Sequence, residues 1–243
     1  MIIDVHCHIG SGGGYELAPQ DLLKQMDENS VDKAIVVPTK KYIAVYNREG
    51  NDYCLEQAKK YPGRLYAMAT ANPWFGERAV DEVKRAFDAG AVGLKLHPFL
   101  QGFRITDAVV DPLMEVAAEF DRPVYFHTGT PVSSMPFQLT ELAMRFPKAN
   151  LIMGHMAFSD FWYDVTKATK AVDNIYLDTS MQWPAFITNQ IKAVGAEKIM
   201  FGSDLPNNEL SLEIEKITRY VTDEQPSDSI FFKTAQKIFK EIG

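Results

Sequence analysis

Cysteine, long apolar runs and basic clusters are all scarce in this sequence of 243 residues. Its two cysteines, Cys7 and Cys54, are too few for a disulfide framework, which excludes the disulfide-rich secreted proteins and predicts two reduced thiols. No stretch of 18 or more apolar residues occurs, so we expect no membrane-spanning helix and no membrane partner. The net charge of −7, without a concentrated basic face, disfavours a nucleic-acid partner.

Two segments near the N-terminus lack the features of common signals. The opening MIIDVHCHIG has no basic stretch before its apolar residues, unlike a signal peptide, and we expect a cytoplasmic protein. Glycines 12–14 lack the Lys-Ser/Thr of a phosphate-binding loop and do not complete a dinucleotide fingerprint. They predict a flexible loop.

A repeating pattern is what the sequence does contain. Eight short apolar runs, each followed by a turn and an amphipathic stretch, begin about 24 to 32 residues apart, as expected for βα units. The runs are IIDVH, AIVVP, LYAMATA, VGLKLHP, VYFHTG, LIMGHM, IYLDTS and IMFGSD. Six strands would suit a doubly wound sheet, whereas eight evenly spaced strands favour closure. We therefore predict one α/β domain over residues 1–243, folded as a parallel eight-stranded (β/α)8 TIM barrel.

Helix signals lie between the apolar runs. Pro19 precedes QDLLKQMDE, as is typical of a helix start with acidic residues in its first turns. The segment GERAVDEVKRAFDAG has an apolar stripe at helical spacing and ends at Gly90, which suits the end of a helix. Further helices are predicted over residues 109–120 and 229–242.

The five histidines all lie where a barrel places its active site. They lie at or near the carboxyl ends of the first, fourth, fifth and sixth runs and are His6, His8, His97, His127 and His155. Asp204 lies at the end of the eighth run. The carboxyl ends of barrel strands meet at one mouth, where active sites form. We expect these six side chains to lie close together.

His6 and His8 are two residues apart on the first predicted strand. Because side chains alternate along a strand, both imidazoles should face the same way, as a clamp for a metal ion or as a pair of hydrogen-bonded core histidines. His127 and Asp204 favour the metal, since three imidazoles and one carboxylate suit Zn²⁺, with Mn²⁺ or Fe²⁺ also compatible. Burying the Asp204 anion without a cation would be costly.

The motifs DVHCH, FHTG, MGH and FGSDLP, in this order, resemble the amidohydrolase superfamily. The likeness covers nearly the whole chain and is greatest to the amidohydrolase-related branch, also called amidohydrolase 2, which includes metal-dependent hydrolases and decarboxylases. It implies that His6, His8, His127 and Asp204 bind one divalent metal ion. It also implies that His155 transfers protons beside the metal, or binds a second metal in binuclear relatives.

Lys95 and His97 lie on the fourth predicted strand. A carboxylated lysine bridges two metals in some members of the superfamily, but GLKLHP resembles the mononuclear members. We predict an unmodified Lys95 that orients a substrate carboxylate or carbonyl, with a salt-bridged barrel residue as the alternative. His97 is a candidate substrate contact or a support for the ligands.

Loops after the strands contain aromatic residues and one arginine that could contact a substrate. Trp74 and Trp183 are candidates for an apolar pocket around a small planar substrate, although a lid or a homodimer interface would also use them. Arg104 is a candidate for binding an anionic group, because its planar guanidinium fits a carboxylate, and otherwise is a surface residue.

Two reactions fit such a site. The first is hydrolysis of a C–N or C–O bond in a small, anionic substrate, with the metal activating water and Asp204 or His155 accepting its proton. The second is nonoxidative decarboxylation of an aromatic or muconate-type acid at the same site. A TatD-like phosphoesterase fits less well, because such enzymes usually have glutamate where this chain has Lys95. A barrel with a merely structural metal is the non-catalytic alternative.

Overall fold

Residues 1–158 and 161–243 are described by a computed structural model of the chain. Nine strands form one sheet in this described part: β1 (Ile3–Gly12), β2 (Tyr15–Leu17), β3 (Lys33–Pro38), β4 (Leu65–Thr70), β5 (Gly93–Leu96), β6 (Val124–His127), β7 (Leu151–Gly154), β8 (Ile175–Asp178) and β9 (Ile199–Met200). All except β2 correspond to the eight predicted apolar runs. These eight pair in parallel, each with the next along the chain.

The segment that follows β9 closes the sheet against β1. The Val5 amide donates to the carbonyl of Phe201 at 3.0 Å, and the His8 amide donates to that of Leu205 at 2.7 Å. The Asp204 amide donates in turn to the carbonyl of His6 at 2.7 Å. Because the segment directly after the last strand hydrogen-bonds the first strand, the predicted (β/α)8 barrel is confirmed.

Helices cover the outside of the sheet. In the described residues they are α1 (Pro19–Glu28), α2 (Lys40–Ala44), α3 (Asn47–Lys60), α4 (Glu77–Asp88), α5 (Pro98–Gln101), α6 (Asp111–Glu119), α7 (Pro136–Arg145), α8 (Trp162–Lys170), α9 (Pro184–Val194), α10 (Leu210–Tyr220), α11 (Glu224–Asp228) and α12 (Thr234–Ile238). The helix predicted over residues 229–242 is divided into a π-helical turn, α12 and a 3₁₀ turn. Within residues 1–158 and 161–243, no helix combines the length and apolarity needed to cross a membrane.

Glycines 12–14 form a hairpin turn rather than the predicted loop. β1 continues to Gly12, which pairs with Tyr15 of the antiparallel strand β2. Gly13 and Gly14 have φ of +67° and +85°, which glycine adopts without the steric penalty of a side chain. The loop prediction was wrong because these dihedral angles return the chain along β1.

A β-bulge in β1 divides its side chains between the two cores. Ile3 and Val5 pack inside the barrel, in a cluster that the C-terminal residues from Ala235 onward close at the bottom. Cys7 packs in the outer core between sheet and helices. The pairing with β3 shifts register between Asp4 and Cys7, so the simple two-residue alternation is interrupted there. The bulge turns His6 toward the barrel mouth directly after the buried Val5.

Candidate metal centre

His6, His8 and Asp204 form a buried group with the composition of a metal site. One ligand atom from each lies within 4.8 Å of the others. Asp204 Oδ1 is 3.5 Å from His6 Nε2 and 3.4 Å from His8 Nε2, and the two imidazole rings are 5.2 Å apart. Two nitrogens and one carboxylate oxygen therefore converge on one point, as predicted for these three residues.

Hydrogen bonds on the far side of each ring orient the two imidazoles. His8 Nδ1 lies 2.9 Å from the carbonyl oxygen of Pro38, which can only accept, so His8 donates from Nδ1. His6 Nδ1 lies 2.8 Å from the hydroxyl oxygen of Tyr125. Both rings thus turn Nε2 toward Asp204. A hydrogen bond to one ring nitrogen that leaves the other as ligand is the arrangement of metal-binding histidines in general.

Asp204 is held in its ionised form. Burial would raise the pKa of its carboxyl, but a hydrogen bond with the His8 side chain, the electrostatic influence of His155 and a hydrogen bond from Asn207 lower it to about 2. Asn207 Nδ2 donates to Asp204 Oδ2 at 2.7 Å, which leaves Oδ1 facing the histidines. The backbone of Asp204 has φ of +58°, which is unfavourable for a non-glycine residue. The hydrogen bond from the Asp204 amide to the His6 carbonyl helps to maintain it. An ionised oxygen directed at two imidazole nitrogens fits a divalent cation.

Lys95 lies against His6. Its Nζ is 2.9 Å from His6 Nε2 and 3.8 Å from the centre of the Tyr125 ring. Burial lowers the pKa of Lys95 to about 7, although Asp204 and Asp178 act in the opposite direction. Because a neutral imidazole has a single lone pair, a metal ion on His6 Nε2 requires Lys95 to release that nitrogen. The residues fit a metal after this movement of one side chain.

His127 and His155 contact each other beside the metal group. His155 Nε2 is 3.1 Å from His127 Nδ1, and the ring of His97 stacks on His127 with centroids 3.8 Å apart. Burial lowers the pKa values of all three below the usual range, so these rings are neutral. His127, the fourth predicted ligand, lies outside the group formed by His6, His8 and Asp204.

His155 begins a left-handed turn. The four residues from His155 to Phe158 have φ of 59°, 43°, 60° and 51°, a conformation that costs non-glycine residues roughly 1–2 kcal/mol each. Gln182 Nε2 donates to the His155 carbonyl at 2.7 Å, and the Ala157 amide donates to Thr128 Oγ1 at 3.1 Å. The turn places the Phe158 ring on the imidazole of His155, with centroids 4.4 Å apart.

Asp178, at the end of β8, is a site residue that the sequence reasoning missed. Its Oδ2 accepts hydrogen bonds from Tyr125 Oη at 2.6 Å, from the Ser180 hydroxyl, and from the His155 amide at 3.1 Å. A second possible metal group combines it with His6 and His155. The signal was present, because IYLD ends a strand with an aspartate just as the eighth apolar run leads to Asp204.

The candidate substrate contacts lie further out. Arg104 is directed to Asp107, with Nη2 2.9 Å from Asp107 Oδ1, and its side chain is 59% exposed. Trp74 is exposed and donates from Nε1 to the Gly102 carbonyl at 3.0 Å. Trp183 is exposed at the start of α9. In this structure the guanidinium of Arg104 is paired within its own loop, whereas Lys95 is the predicted substrate contact that reaches the metal group.

Solved structures with the same fold include several decarboxylases. A dihydroxybenzoic acid decarboxylase from Polaromonas sp. JS666, with bound manganese and the inhibitor 2-nitroresorcinol, superposes with a TM-score of 0.83 at 18% identity, covering 98% of this chain and 96% of that one. A 5-carboxyvanillate decarboxylase from Novosphingobium aromaticivorans DSM 12444, complexed with manganese, gives 0.77 at 20% identity over 90% and 79% of the two chains. At these identities the likeness establishes the fold.

A hydrolase is also among the similar structures. A probable 2-pyrone-4,6-dicarboxylic acid hydrolase from Acinetobacter baumannii, with citric acid bound, has a TM-score of 0.74 at 17% identity, covering 98% of this chain and 99% of that one. Comparison with curated proteins finds no match. The family model described as amidohydrolase matches residues 3–240, almost the entire barrel. The chain therefore belongs to the amidohydrolase family.

Proposed function

We propose that this protein is a metal-dependent enzyme that removes CO2 from a small aromatic or unsaturated carboxylic acid without oxidation. The supporting observation is the convergence of His6, His8 and Asp204 on one point, with the buried amine of Lys95 beside it. A divalent ion beside a single carboxylate leaves an excess of positive charge, and the Lys95 amine adds N–H donors to it. Such a site favours an anionic substrate over a neutral one.

One divalent ion would be held by His6, His8 and Asp204, with His127 as the fourth ligand. When bound, the ion supplies Lewis-acid chemistry, by which it attracts and polarises substrate oxygens. The nitrogen-rich ligand set suits Zn²⁺, and the manganese in similar structures makes Mn²⁺ an equal candidate.

The proposed roles of the chain's residues follow from their positions. Lys95 has N–H donors at the site and would bind the substrate carboxylate or a neighbouring oxygen. Loss of CO2 leaves the electron pair of the broken C–C bond on carbon, where a proton must replace the carboxylate. We assign this transfer to Asp204, which is ionised at rest and holds the proton only while it passes from solvent to carbon, because its Oδ1 faces the convergence point.

Hydrolysis is the second candidate. It ranks lower because both ring nitrogens of His155 already have hydrogen-bond partners. Hydrolysis requires a base for water and an acid for the leaving group. Both ring nitrogens of His155 are engaged, Nδ1 with Ser180 at 2.9 Å and Nε2 with His127 at 3.1 Å. His155 would act in proton transfer only if the His127 contact opened. The ionised Asp204 keeps hydrolysis in consideration, because it can accept a proton from water.

The test starts from metal-free protein supplied with Zn²⁺ or Mn²⁺. Metal analysis should give about one ion per chain after removal of excess. The loaded protein is then incubated with 2,6-dihydroxybenzoate, 5-carboxyvanillate and 2-pyrone-4,6-dicarboxylate, while CO2 release and ring opening are measured separately. We expect CO2 and the protonated product from at least one of the two benzoates. Ring opening of the pyrone without CO2 would support hydrolysis instead, and no conversion of the acids would contradict the proposed substrate class.

A further inference from the structure

Asp178 is connected to two histidines of the site through two hydroxyl groups. Tyr125 Oη lies between Asp178 Oδ2, at 2.6 Å, and His6 Nδ1, at 2.8 Å. The Ser180 hydroxyl lies in the same way between Asp178 Oδ2 and His155 Nδ1, which is 2.9 Å from Ser180 Oγ. All five of these side chains are buried, so water does not replace these partners.

Counting protons determines the direction of each bond. As a carboxylate, Asp178 offers only acceptors, so Tyr125 and Ser180 must both donate to it. Each hydroxyl has one hydrogen, and its oxygen can therefore only accept from the neighbouring imidazole. It follows that His6 and His155 both carry their ring proton on Nδ1. In a neutral imidazole the lone pair is then on Nε2.

The proton of His127 is fixed by its contact with His155. The lone pair on His155 Nε2 faces His127 Nδ1 at 3.1 Å, so His127 must donate from Nδ1. Its own lone pair then lies on Nε2. Together with His8, whose Nδ1 donates to the Pro38 carbonyl, every proposed imidazole ligand has its proton on Nδ1. A backbone carbonyl sets this arrangement for His8, and Asp178 sets it for His127. For His6, Asp178 acts through Tyr125 on Nδ1 while the Lys95 amine contacts Nε2.

Gly202 provides the space that Asp178 occupies. A Cβ atom added at this glycine would collide with Asp178 Oδ1 and would lie 3.2 Å from His6 Cβ. The φ of Gly202 is not in the left-handed region, so steric room rather than backbone conformation explains the residue. The glycine of the FGSD motif thus supports the position of a carboxylate on the preceding strand.

We propose that Asp178 is a positioning residue that, through Tyr125 and Ser180, directs the lone pairs of His6 and His127 to Nε2 for binding a metal ion. This inference rests on the proposed function for the identity of the ligands. It adds that metal affinity depends on a residue that is not itself one of the proposed four ligands. Partners of this kind typically change metal affinity by about 10–100-fold.

The test uses metal-free protein and two readouts. Long-range ¹H–¹⁵N NMR shows which ring nitrogen of each histidine carries the proton, and competition with a chelating dye gives the Kd for Zn²⁺. All variants are made in the Lys95→Met background, because the Lys95 amine otherwise holds the His6 lone pair on Nε2 in the metal-free protein. In that background, Tyr125→Phe should alter the proton position in His6 and leave that in His155 unchanged. Ser180→Ala should alter His155 and His127 and leave His6 unchanged. Asp178→Asn should alter both sets and raise the Kd by about 10–100-fold.

Two further variants keep the result interpretable. Gly202→Ala displaces Asp178 while retaining its charge, and it should reproduce the Asp178→Asn pattern if that variant folds poorly. Tyr176→Phe removes another hydroxyl from the barrel interior and should change neither readout. The proposal is overturned if Asp178→Asn and Gly202→Ala leave the ring protons and the Kd as in the Lys95→Met protein, even when melting temperature falls. The NMR readout needs no substrate, so it remains valid if no decarboxylation is found.

Discussion

Lys95 Nζ lies 2.9 Å from His6 Nε2, the nitrogen that a metal ion must bind. Amine and metal therefore compete for one lone pair. Lys95→Met fills the same buried space without a donor, so metal affinity should be retained or increase. Turnover should fall, since the variant lacks the N–H groups assigned to the substrate carboxylate. Metal content and turnover are measured on the same sample.

The alternative role for Lys95 makes the opposite prediction. If its amine were carboxylated and bridged two metals, the Met variant would lose metal, and the unsubstituted protein would contain two ions per chain. Lys192→Met, on the last turn of α9, is the control for removal of a lysine away from the site.

Asp204→Asn separates catalysis from folding. The amide keeps the shape of the side chain but removes the negative charge and the capacity to take a proton. The variant should fold normally, because apolar packing supplies most of the stability, while it binds metal more weakly and loses about 10²–10⁴-fold in turnover. Melting temperature, metal content and turnover are compared. A lower melting temperature with normal turnover would instead make Asp204 a structural residue.

His155→Asn tests whether His155 transfers protons directly or holds His127. The structure favours the second role, since His155 Nε2 accepts from His127. We expect the Kd for metal to rise by about 10–100-fold along with a loss of turnover at subsaturating metal. Unchanged metal affinity together with lower turnover at saturating metal would instead indicate that His155 transfers protons directly.

The raised pKa of Glu213, a buried residue of α10, predicts that the stability of the protein depends on pH. Burial, the largest effect, raises the pKa of this carboxyl from 4.5 to about 7, although Lys216 lowers it. As pH rises from about 4.5 to about 7, the unfolded chain loses this proton while the folded chain retains it. The free energy of unfolding therefore decreases over this range and changes no further above it.

Glu213→Gln removes this contribution. Relative to the unsubstituted protein, the variant should gain melting temperature at pH 8 but not at pH 4.5. Glu215→Gln, an exposed residue on the same helix α10, is the matched control and should show no such difference. An equal shift at both pH values would contradict a raised pKa for Glu213.

The order of strands and most of the site could be predicted from the sequence because both depend on local patterns. Short apolar runs, each followed by a turn and an amphipathic stretch, identify the eight strands, and barrel geometry brings their carboxyl ends together. Once His6, His8 and Asp204 are located at such ends, their proximity follows without coordinates. The family resemblance implies the same residues, and the family match over residues 3–240 confirms the resemblance itself.

Tertiary structure alone decided how these side chains are held. The β-bulge between Asp4 and Cys7 depends on the register with β3, which sequence alternation does not reveal. The bond from Tyr125 to Asp178 spans 53 positions of the sequence, and the bond between Lys95 and His6 spans 89. The left-handed turn from His155 to Phe158 contains no glycine that would reveal it in the sequence. Hydrogen bonds with Gln182 and Thr128, which are distant in the chain, stabilise it instead. Local sequence determines which elements form, whereas hydrogen bonds between distant residues determine which atoms face the metal.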